Sequence, residues 1–494
     1  MKKTLSKSVK LLTSPLGLLR RAGRKVSKKA AEAAPSTSLF DSLRSPEIRK
    51  KLIFTFGIIV VYRILASVPL PGIDVTLFTE VFGGNPLTNL FTLVTGGRLD
   101  NPSLMAIGLG AYINASIIIQ LLQTVIPKLE ELSKEGERGR KVINQYTRFL
   151  TVPLSIVQGF VILTILRNVG STVPELAGIV DNISNFEVLT MITALTAGSI
   201  LLMWLGELIT ENGIGNGISI LITISILTSL PGLISRDFAF LANDFSLLAQ
   251  GNFNVLINEN FVLIYLVILG FAALVAGIVY VTEAVRKITI QYARRFRGAE
   301  GVQSSYLPLK INQAGVIPVI FASALLSFPQ IVSQFFLSSA DPNSFLYQIG
   351  NSINNSFLGV NLGSLSPEDN FKYFATFFVL IVAFTFFYTF VTYKPSETAD
   401  NLKKSGGFIP GLRPGMATQK YITHVLIRLT VVGSFFLAII AIIPNLIRLT
   451  PQGSHLTLIS GIGGTSILII VGVSLDTFRQ MKALTVTSSY DQYK

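Results

Sequence analysis

The chain contains no cysteine and only two histidines, His424 and His455. The first absence excludes disulfides and thiolate metal sites, and leaves the redox compartment unreadable. Charge is scarce as well: 14% of residues are charged, against about 25% in an ordinary soluble chain. There is no H-E-x-x-H, no G-x-S-x-G and no G-x-x-x-x-G-K-[ST], so metal-assisted hydrolysis, an α/β-hydrolase nucleophile and a P-loop ATPase all lack their usual signatures. No catalytic, metal-binding or cofactor-binding residue is expected, and any work the protein performs draws its energy from another molecule.

What is present is apolar length. Half of the 494 residues are hydrophobic, and about 20 mostly apolar residues cross the ~30 Å hydrocarbon core as a helix. Runs of that kind lie near 52–69, 103–126, 149–167, 188–209, 214–233, 261–283, 314–337, 371–393, 422–444 and 457–478. Ten spans put both termini on one side. Lys and Arg number 14 before the first run, 6 in 127–148, 6 in 284–313, 5 in 394–421 and 3 from Arg479 onward, with almost none in the alternate loops. The positive-inside tendency makes the basic side, and both termini, cytoplasmic. Residues 1–51 hold no apolar core long enough for a cleavable signal peptide, so the first span is expected to remain as an anchor. Leu11 to Leu19 is suited to lying on anionic lipid, and Ala30 to Ser38 to disorder.

Three features depart from a bundle of plain apolar rods. The external stretch Pro71 to Pro102 includes Asn89-Leu-Phe-Thr-Leu-Val-Thr-Gly-Gly97, too short to cross; it folds back within the membrane beside a cavity or forms an ordinary external loop. The connection Thr210-Glu-Asn-Gly-Ile-Gly-Asn-Gly217 suits a tight reversal; with no preceding strand and no P-loop lysine it is not a phosphate loop. Finally, Ile113-Asn-Ala-Ser116 and Ile320-Phe-Ala-Ser323 share I-x-A-S five spans apart, the offset that inverted five-span repeats would give. The expected organisation is a basic extension 1–51, a first half 52–233, an external hinge 234–260, a second half 261–479 with long loops 284–313 and 394–421, and a tail 480–494.

Three function classes compete: a polypeptide channel, a secondary transporter and a membrane enzyme. A transporter should carry ionisable groups within its spans, and the candidates are Arg63, Glu207 and Glu283, the two glutamates close to cytoplasmic span ends where a solvated group is the simpler reading. An enzyme would have to use His424 and His455, which lie on opposite expected faces. The mid-span residues Leu109 and Ile113, Ile218 and Ile222, and Ile320 are aliphatic, each pair four apart and so on one helix face; packing or pore lining both fit. Arg286, Lys287, Arg294, Arg295, Arg297 and Lys310 in one loop, and Lys403, Lys404, Arg413 and Lys420 in the other, suit an RNA backbone, anionic lipid, an acidic protein surface, or topology control alone.

The stretches Pro69-Leu-Pro-Gly-Ile-Asp74, Tyr112-Ile-Asn-Ala-Ser-Ile-Ile-Ile-Gln-Leu-Leu122, Lys134-Glu-Gly-Glu-Arg-Gly-Arg140, Met203-Trp-Leu-Gly-Glu207, Gly213-Ile-Gly-Asn-Gly-Ile-Ser219, Leu307-Pro-Leu-Lys-Ile-Asn312, Ala314-Gly-Val-Ile-Pro318, Glu397-Thr-Ala-Asp-Asn-Leu-Lys-Lys-Ser-Gly406, Phe408-Ile-Pro-Gly-Leu-Arg-Pro-Gly415 and Gly463-Gly-Thr-Ser466 closely resemble, in order, the bacterial SecY family of Sec translocon channel subunits. The resemblance runs from about Leu52 to Met481. It implies an all-α membrane protein with ten transmembrane helices in two inverted pseudo-symmetric halves around a central pore, with a re-entrant plug near 89–100, in the bacterial inner membrane. Carried over residue by residue, it implies a pore ring of Leu109, Ile113, Ile218, Ile222, Ile320 and Ile469, a plug including Asn89, Phe91, Gly96, Gly97 and Asp100, and a lateral gate near Asn114, Gln120, Gln123 and Asn312. It also implies contacts through Arg294, Arg295, Lys403, Lys404 and Arg413 to the SecA ATPase or, through ribosomal RNA, the ribosome; the tip 296–301 departs from the pattern. The remaining implied partners are SecE- and SecG-type subunits, unfolded preprotein clients with their signal peptides, and anionic lipids, with no cofactor.

Overall fold

The computed structural model describes residues 46–71, 103–172, 184–240, 259–292, 304–339, 344–355, 367–448 and 463–491. Each of the ten apolar runs overlaps a helix: α1 (Pro46–Ala66), α2 (Gly110–Val125), α4 (Glu137–Thr172), α5 (Asn185–Asn212), α6 (Gly217–Phe240), α7 (Glu259–Glu283), α8 (Ile317–Ser339), α10 (Pro367–Thr392), α12 (Met416–Arg448) and α13 (Gly464–Asp491). Helix is the only open-chain form that satisfies its own backbone in hydrocarbon. Among the described residues, Glu137–Thr164, Asn185–Asn212, Phe371–Lys404 and Met416–Pro444 are each long and apolar enough to cross a membrane, and α2 with α3 (Pro127–Lys134) passes the same test as a pair bent by 101°. Shorter apolar helical segments occupy α6, α7 and α8.

The second run starts later than its composition suggests. Residues 104–109 form turns, with Gly108 at φ +62°, and helix begins at Gly110. Ser103 bridges antiparallel to Pro69, and the Leu104 amide donates to the Val68 carbonyl at 3.0 Å. The turn segment is buried at Met105, Ala106 and Ile107.

The chain divides into two compact units, Met1–Ile53 with Phe478–Lys494, and Phe54–Thr477. In the first, the described residues are helical, with Ile48 and Thr485 buried. Among the described residues of the second are three apolar clusters. One joins α1, α5 and α6 through Ile58, Tyr62, Leu202, Leu205, Ile209 and Leu221, and takes in Ile469 and Val473 of α13. Another joins α8, α10 and α12, with Ile117 of α2 and Ile278 of α7. There Phe321 meets Phe384 and Tyr388 edge-on at 6.0 and 6.1 Å, a geometry that suits the ring quadrupoles.

The third cluster departs from the purely helical expectation. Strand β1 (Val285–Tyr292) pairs antiparallel with β2 (Ser304–Lys310) and with the short β3 (Gly407–Phe408), in the order β2-β1-β3. Alternation buries Ile288 and Ile290, which pack with Leu309, Ile409, Ile422 and Leu402 of α11 (Pro395–Lys404). The two long basic loops therefore share one small core. A further helix, α9 (Phe345–Asn355), lies between α8 and α10.

Candidate functional site

The G-x-G-x-G reversal is built by close backbone approach. Gly215 holds φ +84°, a conformation that favours glycine. A Cβ on Gly213 would sit 2.5 Å from Thr55 Oγ1, one on Gly206 2.9 Å from Ile218 Cγ1, and one on Gly217 against the Gly206 carbonyl oxygen. The Gly217 amide donates to Thr210 Oγ1 at 2.9 Å, and Asn216 Oδ1 accepts from the Ser219 amide at 3.2 Å, capping α6. Helix α6 is thereby pressed onto α5, with Ile218 and Ile222 turned to the first cluster.

Other elements bring four more residues to that cluster. Leu109 ends the turn before α2 and Ile113 follows one helical turn on, its amide donating to the Leu109 carbonyl at 2.9 Å. Ile320 lies on the first turn of α8. Ile469 is carried by α13, whose Gly464 abuts the Ile440 and Ala441 backbone of α12 and whose Gly472 abuts Val316. Leu109 and Ile469 are 5% and 7% exposed, and Ile113, Ile218, Ile222 and Ile320 pack against them half-buried. All six expected ring residues thus meet in one apolar cluster, contributed by four helices and a turn. Ile113 and Ile320 also touch the α8–α10–α12 cluster. Within the I-x-A-S echo, Ala115 and Ala322 are both fully buried.

Helices α2 and α4 both pack against α8. Asn114, Gln120 and Gln123 are half-buried on α2, with Gln120 Nε2 donating to Ser116 Oγ at 3.2 Å within the same helix. Asn312 lies in the turn before α8, buried, its Nδ2 donating to the Gly315 carbonyl at 3.0 Å. Gly433 of α12 lies against that turn. Asn312 Oδ1 finds no partner among the described residues.

One ionisable group expected to be solvated is not. Glu207 is only 13% exposed, and Arg148 of α4 grips it with two parallel bonds, Nη2 to Oε2 at 2.7 Å and Nε to Oε1 at 2.8 Å. Nothing in the local sequence pattern names the partner, 59 positions away; the only signal is that an acid in a span needs one. Arg148→Ala strands the carboxylate. Because Arg148 is itself 45% exposed, the expected loss is about 2 kcal/mol, the order for a charged hydrogen bond, rather than the larger cost of breaking a fully buried pair. Thermal unfolding of solubilised protein reads it, with Arg148→Lys losing less because charge remains without the fork.

Of the basic residues, Lys403, Lys404 and Arg413 are exposed on the sheet-bearing module. Arg413 sits on a loop between Gly411 and Gly415, at φ +82° and +103°, and its carbonyl accepts from Thr418 Oγ1 at 3.0 Å. Lys287 stands 5.0 Å from the Tyr306 ring centroid, a cation–π contact across the hairpin. Arg294 and Arg295 lie outside the described residues, as do the plug residues Asn89, Phe91, Gly96, Gly97 and Asp100.

A family model described as SecY matches residues 103–478. Protein translocase subunit SecY of Streptomyces scabiei is 40% identical over 465 residues, covering 92% of this chain and 99% of that protein. The chain belongs to the SecY family. SecY of Mycobacterium bovis is 38% identical over the same lengths. Among solved structures, a protein-conducting channel superposes with a TM-score of 0.60 at 21% identity, covering 90% of this chain and 94% of that one. Sec61 from the canine ribosome–channel complex gives 0.57 at 20% identity over the same shares. At such identity the structural likeness speaks for the fold, while the family rests on the sequence relatives. This SecY-family chain is a multi-pass membrane protein.

Proposed function

We propose that this chain is the central channel subunit of a Sec translocon, passing unfolded polypeptides across the membrane and releasing apolar segments into lipid. The observation that carries the reading is the convergence of Leu109, Ile113, Ile218, Ile222, Ile320 and Ile469 in one cluster. A narrow aliphatic constriction excludes water and ions by dewetting, and flexible side chains yield around a passing chain of any sequence. The seam of α2 and α4 against α8 is the lateral gate, with Asn114, Gln120 and Gln123 beside it and Asn312 at the foot of α8. An apolar client segment leaves through it, favoured by roughly 25 cal/mol per Å² of apolar surface removed from water. Residues 89–100 form the plug. Pairing of Glu207 with Arg148 counts against a proton-coupled carrier.

Loop charges and the ten helices that the apolar runs overlap support ten crossings with both termini cytoplasmic, and the SecY likeness supports two inverted halves in a bacterial inner membrane. The module formed by the two basic loops then faces the cytoplasm, where its exposed Lys403, Lys404 and Arg413 engage SecA or the ribosome, and Arg294 and Arg295 are proposed as further contacts of the same partners. SecE- and SecG-type subunits complete the complex, and the basic extension meets anionic lipid.

The test is client crossing into vesicles holding this chain with a SecE-type subunit, supplied with SecA, ATP and an unfolded precursor. Wild type is expected to give protease-protected precursor and Arg413→Glu to lose most of it, because a charge reversal at an exposed loop removes a partner contact without touching a core. Protection in both would dismiss Arg413 as the coupling point; protection in neither, with assembly verified, would oppose the channel reading.

A further inference from the structure

Helix α9 is amphipathic in an unusual way: Phe345-Leu-Tyr-Gln-Ile-Gly-Asn-Ser-Ile-Asn-Asn355 carries no charge at all. Its eleven residues span roughly 16 Å at 1.5 Å each, about half of what a crossing needs. It folds back on α8. Ser333 Oγ, fully buried, donates to the Gly350 carbonyl at 2.8 Å. A Cβ on Gly350 would lie 3.0 Å from Phe336 Cβ and 3.2 Å from Leu337 Cγ. Ser333 is six residues before the end of α8, so α9 runs beside the last turns of α8, a span in the proposed function on which this inference rests, rather than beyond them.

The apolar sector of α9 is wider than the strip α8 covers. Phe345, Ile349 and Ile353 recur at i, i+4 and i+8 with Leu346 alongside, while Gln348 and Asn351 mark the polar side and Ser352, seven residues after Phe345, borders it. Gly350 is buried on α8, yet Phe345 is 74% and Leu346 47% exposed. A second aromatic, Phe371 near the start of α10, is 73% exposed on the segment that returns to the membrane from the same side as α9. Exposed apolar side chains at span ends mark the belt where lipid headgroups meet acyl chains.

We infer that α9 is an interfacial anchor whose Phe345–Leu346 flank is seated in the lipid headgroup–acyl boundary, holding the adjoining end of α8 through Gly350 and Ser333. The partner chemistry is the bilayer itself, by apolar contact. With no charged residue on α9, its seating does not depend on anionic lipid. Because α8 is also the helix that α2 and α4 pack against, the anchor fixes one end of that seam's wall.

The absence of cysteine permits a direct test. Phe345→Cys, Leu346→Cys and Gln348→Cys are labelled singly with an environment-sensitive fluorophore in the assembled complex, in bilayers containing lipids with a shallow acyl-chain quencher. Labels at 345 and 346 are expected to be quenched several-fold more than the label at 348, equally in zwitterionic and anionic bilayers. Equal quenching at the three sites, or quenching at 345 and 346 by aqueous iodide alone, overturns the anchor. So does quenching at 345 and 346 that vanishes only in purely zwitterionic bilayers, or that is absent until a client is bound.

Discussion

Vesicles carrying the assembled complex with Ile113→Asn and Ile320→Asn are expected to leak ions about tenfold or more above wild type, because wetting a constriction removes the barrier that dewetting supplies. These two residues are chosen because each touches both the α1–α5–α6 cluster and the α8–α10–α12 cluster, so they stand where the two apolar bodies meet. An amide placed there lacks a partner. Leaving it unpaired costs about 1–3 kcal/mol, and water relieves that cost; at 1.4 kcal/mol per factor of ten, two such sites shift occupancy by one to several decades. Ile113→Leu with Ile320→Leu keeps volume and polarity and is expected to leave the seal intact. Ion flux through reconstituted vesicles reads both variants. An unchanged leak in the asparagine pair, with assembly verified, would remove Ile113 and Ile320 from the closure.

The second large effect concerns stability. Gly217→Val drives a branched side chain into the Gly206 carbonyl oxygen and to 2.6 Å from Ile209 Cβ. Neither obstacle is the far end of a flexible chain, so α5 and α6 must part, and Ile218 and Ile222 are carried out of place. Overpacking of this kind costs about 1–3 kcal/mol, occasionally more. Gly232→Val on the same helix is the control, since nothing lies within 4 Å of a Cβ there. Comparing the melting of the two in detergent isolates the helix–helix approach from the helix propensity of valine, and the variant at 217 is expected to melt well below the one at 232.

The helical frame was legible because each span advertises itself locally. A run of about 20 apolar residues has few alternatives in a chain with so little charge, and each run overlaps a helix. The six aliphatic residues were ambiguous for the opposite reason. Isoleucine in a span looks the same whether it faces lipid, a neighbour or a constriction, and only the fold brings 109, 113, 218, 222, 320 and 469 together.

Two kinds of feature escaped. Local ones carried a readable signal that the apolar count overshadowed: Val285–Tyr292 alternates polar and apolar residues as a strand does, and α3 and α11 each open on proline and close on lysine, the polarity expected of short helices. Long-range ones carried none. The grip of Arg148 on Glu207 and the joining of both basic loops in one core depend on how distant segments meet. The start of α2 was misplaced because Leu104 to Leu109 is apolar yet forms turns, buried against α5 where Gly198 meets the Leu104 backbone.

The central claim is that a polypeptide passes through the cluster of six aliphatic residues. In a chain free of cysteine, single cysteines at Ile113, Ile218, Ile320 and Ile469, and at the exposed Phe149 and Tyr280, are each tested for disulfide formation with a cysteine in a precursor stalled midway across. Adducts at the four clustered positions and none at Phe149→Cys or Tyr280→Cys are the predicted result. Stalled, membrane-crossing precursor that forms no adduct at any clustered position would contradict it.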